Sequence, residues 1–281
     1  MSVEDDPATT ERETAEEEAA GDAGAAASAT PKLRAENVTK QFGRIVAVDD
    51  VTLDVRPGEI FALVGDNGAG KSTLMNVLSG VHAPTEGQLY KDGEPVQFSN
   101  PSDARAKGIE TVYQDLALMD DLDIATNIFM GSFPKRGVGP LRVIDWNATY
   151  ERSRAIMREQ LGREMDIQTE VEFLSGGQRQ LVAIGRALAF DPDVIILDEP
   201  TSALSVDATR LVQNTLDRLA EEGITIVIVS HNIESVLEHA DRIGVLYQGS
   251  LVDIMAPSET DLEELNELMT TGTLETGLLD D

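Results

Sequence analysis

The feature that most restricts this chain is Gly65-Asp66-Asn67-Gly68-Ala69-Gly70-Lys71-Ser72, followed by Thr73. It fits G-x-x-x-x-G-K-[ST], a loop that turns its backbone N–H groups onto nucleotide phosphates. The flanks suit that reading. Residues 60–64 are a short apolar run after the Pro57-Gly58 turn, as expected of a buried parallel strand. Beyond the loop, Leu74, Val77 and Leu78 recur at helical spacing up to Gly80, a C′ glycine. Strand, loop and helix N-terminus together aim N–H donors and a positive dipole end at one point. The glycines let the backbone curl around an anion without Cβ clashes. Lys71 suits β/γ-phosphate charge, and the Ser72 hydroxyl suits Mg²⁺. The expected fold class is α/β. A glycine-rich strand–helix turn also serves as a plain connector, so the rest of the chain decides.

The 281 residues are enough for one large domain or two small ones. There is no cysteine, which excludes disulfides and thiolate metal sites and suits a reducing compartment. The acidic N-terminus lacks the basic and apolar regions of a secretory signal. Apolar runs such as residues 194–197 fall far short of the ~18 residues that span a bilayer. We therefore expect a soluble chain whose membrane role needs a partner.

Net charge is −29. Residues 1–31 hold nine acids against Arg12, and 258–281 hold eight acids and no base, so thirteen excess negative charges lie between. This balance opposes nucleic-acid binding, which needs a basic footprint. It also makes the phosphate site a positive spot in a repulsive field. Salt screens such repulsion, with a Debye length of ~3 Å at 1 M, so a high-salt cytoplasm is expected. The plain alternative is an ordinary acidic protein with solvated tails.

Residues 1–31 show no apolar periodicity and read as a disordered acidic extension. From Leu33 short strands begin, with Val51, Leu53 and Val55 alternating. In Lys40-Gln41-Phe42-Gly43 the aromatic could stack on adenine or simply pack in a strand. A turn at 84–87, a strand at 88–90 and a hairpin connection at 91–94 follow. A short helix over 102–107 ends at Gly108, before a strand over 109–113. Gln114 comes directly after it. Its amide could accept from a Mg²⁺-bound water and donate to the attacking one, or lie idle on the surface. Residues 131–145 form a loop, Trp146 is a packing residue, and 147–161 are helical.

Leu174-Ser175-Gly176-Gly177-Gln178 opens an amphipathic helix stopped by Asp191-Pro192. Its start is either a second anion site or a helix capped by Ser175. Residues 193–199 are a buried strand ending in two acids, either a plain strand end or, beside a P-loop, Asp198 placed to hold Mg²⁺ and Glu199 placed to orient and deprotonate the attacking water. After a helix over 207–221, the strand 224–229 ends at Ser230-His231, where open α/β sheets bind ligands. His82 and His239 are read as surface residues. Asn232 caps the next helix; strands at 243–247 and 250–254 and a helix capped by residues 258–261 close the chain.

With these segments in hand, residues 33–270 resemble the ATP-binding subunit of ABC transporters. The loop 65–72 is similar to the P-loop, Gln114 to the Q-loop glutamine, 174–178 to the signature and 195–199 to the Walker B strand. Ser202-Ala203-Leu204-Ser205 falls at the D-loop and His231 at the switch position. The resemblance implies a P-loop NTPase (RecA-like) core with an antiparallel β subdomain and an inserted α-helical subdomain over about 100–189. The ATP-binding domain would span 32–257, followed by a C-terminal helix and acidic tail over 258–281. It also implies roles. Phe42 would stack on adenine, Gly65 to Thr73 would hold the phosphates of ATP, and Ser72, Gln114 and Asp198 would serve Mg²⁺. Glu199 would be the catalytic base, with Gln114 at the water and His231 a γ-phosphate sensor. Ser175, Gly176, Gly177 and Gln178 would face the ATP of a partner subunit. Phe42 stands where tyrosine is commoner, and Ser205 where most members carry aspartate, which leaves coupling through that position open.

Asn127-Ile128-Phe129-Met130-Gly131, Val143-Ile144-Asp145-Trp146 and Ser230-His231-Asn232 are similar to importers of monosaccharides, many of which carry two cassettes per chain. With one P-loop and one signature, this chain would work as a head-to-tail homodimer. The implied partners are an integral membrane permease at the cytoplasmic face, seated near Leu116, Leu118, Met119 and Leu122 unless these pack internally, and indirectly an extracytoplasmic binding protein. An exporter, or a soluble ABC ATPase of DNA repair or translation, is the competing reading. The latter usually carries coiled-coil insertions, tandem cassettes or basic surfaces.

Overall fold

The computed structural model describes residues 30–137 and 142–274. Apart from Thr30 and Pro31, the acidic extension expected over 1–31 lies outside the described residues, as does the tail beyond 274. Strands β1 (Leu33–Phe42) and β2 (Ile45–Val55) form a hairpin, and β3 (Ile60–Val64) enters α1 (Lys71–Leu78) through the glycine loop. Strands β4 (Glu86–Lys91) and β5 (Glu94–Val96) turn at Asp92-Gly93, with φ of 53° and 80°, the geometry of a two-residue hairpin loop. Next come α2 (Pro101–Arg105), β6 (Ile109–Val112), α3 (Ile124–Ile128) and the short pair β7 (Lys135–Arg136) and β8 (Val143–Ile144). Helix α4 (Trp146–Ala155) continues as a π-helical turn over Ile156–Gln160. The remainder is α5 (Gly176–Leu188), β9 (Val194–Asp198), α6 (Val206–Glu221), β10 (Thr225–Val229) and α7 (Ile233–His239). Strands β11 (Arg242–Tyr247) and β12 (Ser250–Met255) and helix α8 (Leu262–Thr271) complete it.

Two main sheets result. One is antiparallel, in the order β2-β1-β4-β5; the other has six strands in the order β12-β11-β3-β10-β9-β6. In the second, β6, β9, β10, β3 and β11 run parallel, and β12 closes the edge antiparallel. Its central strands are buried on both faces, which explains why they read as unbroken apolar runs. Val194 and Ile196 face a core shared with α1 and the antiparallel sheet, whereas Ile195 and Leu197 face a second core with α5 and α6. A third cluster seats α8 through Leu265, Leu268 and Met269 against Ala62 and Val64. The parallel register sets the ends of β3, β9 and β10 side by side, and β6 delivers Gln114 next to β9.

The structure departs from expectation in four places. Strand β6, inside the range given to the helical insertion, pairs in parallel with β9, so the helical block begins only after it. The stretch read as a loop over 131–145 contains the pair β7–β8. His239 is mostly buried, with 16% of its side chain exposed, because Asp217 accepts its ring at 2.9 Å. His82 is half-buried as well, its ring edge-on to Phe42.

Candidate functional site

The glycine loop is shaped by what surrounds it. Gly70 has φ +105°, and a Cβ there would lie 2.5 Å from the Ala47 carbonyl oxygen. At Gly65 the same atom would lie 2.3 Å from the Leu246 carbonyl oxygen. Side chains are excluded at both positions, because β2 and β11 press on the loop from two sides. Gly249 N–H donates to the Ala69 carbonyl at 2.9 Å, and Asp49 N–H donates to the Gly249 carbonyl at 2.9 Å, tying these strands to the loop. Lys71 folds back over it, its Nζ donating to the carbonyls of Gly65 at 2.7 Å and Asp66 at 3.1 Å. Burial pushes the Lys71 ammonium below its ordinary pKa, against the pull of Glu199, Asp66 and Asp198. An ammonium has three donors, so one remains for an anion.

Asp198 and Glu199 stand at the end of β9. Burial, and then the charge of Glu199, push the Asp198 carboxyl above its ordinary value, with Lys71 opposing. Glu199 adopts φ +51°, a left-handed conformation uncommon outside glycine, and its N–H donates to the Val229 carbonyl at 2.9 Å. That bend turns its carboxylate toward the end of β10. There Glu199 Oε2 meets His231 Nδ1 at 2.7 Å; Glu199 is mostly buried and His231 mostly exposed.

Around this group opens a cleft of about 500 Å³, in the range of small-molecule sites. Asn67, Gly68, Gly70, Lys71, Ser72, Thr73, Gln114, Asp198 and Glu199 line it. Residues scattered over more than a hundred positions thus share one wall. Gly65, Asp66 and Ala69 shape the loop without facing the cleft. Phe42 lies outside the lining, 43% exposed at the tip of the β1–β2 hairpin, with Lys40 Nζ 5.0 Å above its ring. Ser175, Gly176, Gly177 and Gln178 do not reach the cleft at all. They begin α5, where Ser175 Oγ accepts from Gln178 N–H at 3.4 Å and Gln178 Oε1 accepts from Ser175 N–H at 2.9 Å. This reciprocal cap answers the plainer of the two readings of that segment.

Sequence reasoning missed part of the lining. Ile45, Val46, Gln248 and Gly249 also face the cleft, and Ile45 is 70% exposed. Two bare aliphatic residues beside an exposed phenylalanine suit a flat apolar ring, yet no local pattern marks them. The surface named around Leu116 divides: Met119 and Leu122 are exposed, whereas Leu116 and Leu118 pack onto the α5 core.

The chain matches the family profile described as ABC transporter over residues 48–202. It is 44% identical over 239 residues to the xylose/arabinose import ATP-binding protein of Sulfolobus acidocaldarius, covering 85% of this chain and 94% of that one. It is 42% identical over 244 residues to the fructose import ATP-binding protein of Rhizobium meliloti, with the same coverage. Against a ribose import ATP-binding protein of Streptomyces avermitilis it is 42% identical but spans only 43% of that longer chain. The fold is similar to a nucleotide-free ATP-binding cassette from an ABC transporter, with a TM-score of 0.73 and 28% identity over 85% of this chain and 95% of that one. It is also similar to a dimeric cassette in a post-hydrolysis state with ADP and Pi, with a TM-score of 0.66 and 27% identity over 80% and 98%. The glycine loop, the carboxylates of β9 and these relationships agree: the chain belongs to the ABC transporter family, among its ATP-binding cassettes.

Proposed function

We propose that this chain is the ATP-hydrolysing subunit of an importer, driving uptake of a sugar through a separate membrane permease. The observation that carries the catalytic part is the convergence of Lys71, Ser72, Gln114, Asp198 and Glu199 on one cleft. The import part rests on the relatives named for xylose/arabinose and fructose uptake, of which this chain spans 94%. In this reading the loop N–H groups and Lys71 hold the phosphates, and Phe42 with Ile45 offers a face to adenine. Ser72, Gln114 and Asp198 supply hard oxygen donors suited to Mg²⁺, which when bound offsets phosphate charge. Glu199 takes the proton of the attacking water, and His231, set against Glu199, senses the γ-phosphate. Positioning and electrostatics account for most of the catalysis.

Ser175 and Gly176 are exposed and lie outside the cleft lining, so we infer that they complete the site of a second copy, head to tail. The Glu199→Gln chain with ATP should sediment as a dimer; a monomer at high concentration and molar salt would remove that arrangement. Among the described residues no helix is long and apolar enough to cross a membrane. We place the subunit at the cytoplasmic face through its permease, which would seat on Met119 and Leu122, with an extracytoplasmic binding protein on the far side. The charge of −29 fits a cell interior rich in salt. The direct test is co-purification with a permease and ATPase assay in liposomes. Stimulation by one sugar supports the reading; turnover indifferent to any permease favours a soluble role.

A further inference from the structure

Helices α6 and α7 each begin close behind a residue proposed to handle the attacking water. α6 leads out of the segment after Glu199, and α7 starts beyond His231, capped by Asn232. α7 has only seven residues, too few to hold a place by itself; Ile233 and Val236 seat it in the cluster with Ala62, Val64 and Leu265, and its polar side meets α6. Two polar rungs tie it to α6. Gln213 Nε2 donates to Ser235 Oγ at 2.5 Å, and one turn on His239 Nδ1 lies 2.9 Å from Asp217 Oδ2. The partners are four residues apart on each helix, so both rungs join facing stripes. A narrow gap of about 20 Å³ lies between the helices and the sheet, and the rung residues Gln213, Asp217, Ser235 and His239 line it together with Pro200 and Ser230.

Ser235 connects the rungs to the site. Its N–H donates to Asn232 Oδ1 at 3.2 Å, and Asn232 N–H donates to Ser230 Oγ at 3.0 Å. His231 stands between those two residues, bound to Glu199. We propose that Gln213–Ser235 and Asp217–His239 are positioning pairs that hold His231 against Glu199, making α6 and α7 move as one. This builds on the roles given to Glu199 and His231 and adds four residues outside the cleft.

The chain has three histidines, so ring NMR signals of histidine-labelled full-length protein are separable. In Ser235→Ala and Asp217→Asn we expect the His231 ring signals to shift and kcat to fall about tenfold or more, with affinity for a fluorescent ATP analogue retained. Ser235→Thr, which keeps the hydroxyl, should restore both. If the variants lower Tm but leave the His231 signals and kcat as in wild type, the ladder is a packing feature only and the proposal fails. Parallel loss of kcat and nucleotide affinity would overturn it too. His231→Ala separates the two layers: normal hydrolysis by that variant rejects the role of His231, whatever the ladder does to its ring.

Discussion

Lys71 is held below its ordinary proton affinity while two backbone carbonyls occupy two of its donors. Such a lysine is pre-set to take an anion, whose charge relieves the burial that the ammonium suffers alone. Asp198 shows the converse. Its pKa is raised, chiefly by burial, so the folded chain keeps the carboxyl proton over a range where the unfolded chain has lost it. Stability therefore falls as pH climbs from the ordinary value of 3.8 through the raised one, and stays low above it. We predict that nucleotide-free Asp198→Asn melts above wild type at pH 7, the gap closing below 3.8, while hydrolysis is lost. Equal or lower melting at pH 7 would mean that attraction to Lys71 outweighs burial. At Glu199 the prediction is kinetic: Glu199→Gln should bind ATP but turn over on the order of 10²–10⁴ more slowly. Wild-type-like turnover would take Glu199 out of the mechanism.

At the scale of elements, Ser175 is asked to do two things. It caps α5 in its own chain, and its exposed hydroxyl is proposed to meet ATP held by a second copy. A Cβ on Gly177 would come within 2.9 Å of Ala208 Cβ, so the N-termini of α5 and α6 are pressed together and little can be altered there without cost. The two functions of Ser175 separate by substitution. Ser175→Ala should lose about 0.5–2 kcal/mol in urea unfolding, the usual worth of a cap. Ser175→Asn, which keeps a capping oxygen, should recover that stability and yet hydrolyse slowly. If Ser175→Asn hydrolyses like wild type, the side chain matters for the helix alone.

For the whole molecule the governing quantity is charge. Twenty-two basic residues face fifty-one acidic ones, and the excess extends into the folded part. Repulsion at this scale is long-ranged, so added salt should relieve it until the Debye length shrinks to contact distance. We expect Tm and hydrolysis to rise together as KCl approaches molar concentration; a maximum below physiological salt contradicts that. Pairs with one buried member are less sensitive. Lys91, with its side chain 4% exposed, meets the half-exposed Asp193 at 3.0 Å and joins the antiparallel sheet to the start of β9, so salt reaches this pair from the carboxylate side only.

Local chemistry was written plainly in the sequence. The spacing of Gly65, Gly68, Gly70 and Lys71, the apolar run before Asp198 and Glu199, and the capping residues Ser175 and Asn232 each act within a few positions, so the chain order carries them. Strand ends at Gln114, Glu199 and His231 were equally legible. Only the tertiary structure decided which distant residues share a wall. The parallel register sets β3, β9 and β10 abreast, the left-handed turn at Glu199 aims it at His231, and folding closes β2 and β11 on the glycine loop. Ile45, Gln248 and the Asp217–His239 pair gain their meaning from such long-range contacts. No periodicity announces them, because each depends on backbone brought together from parts of the chain that do not know of one another until it folds.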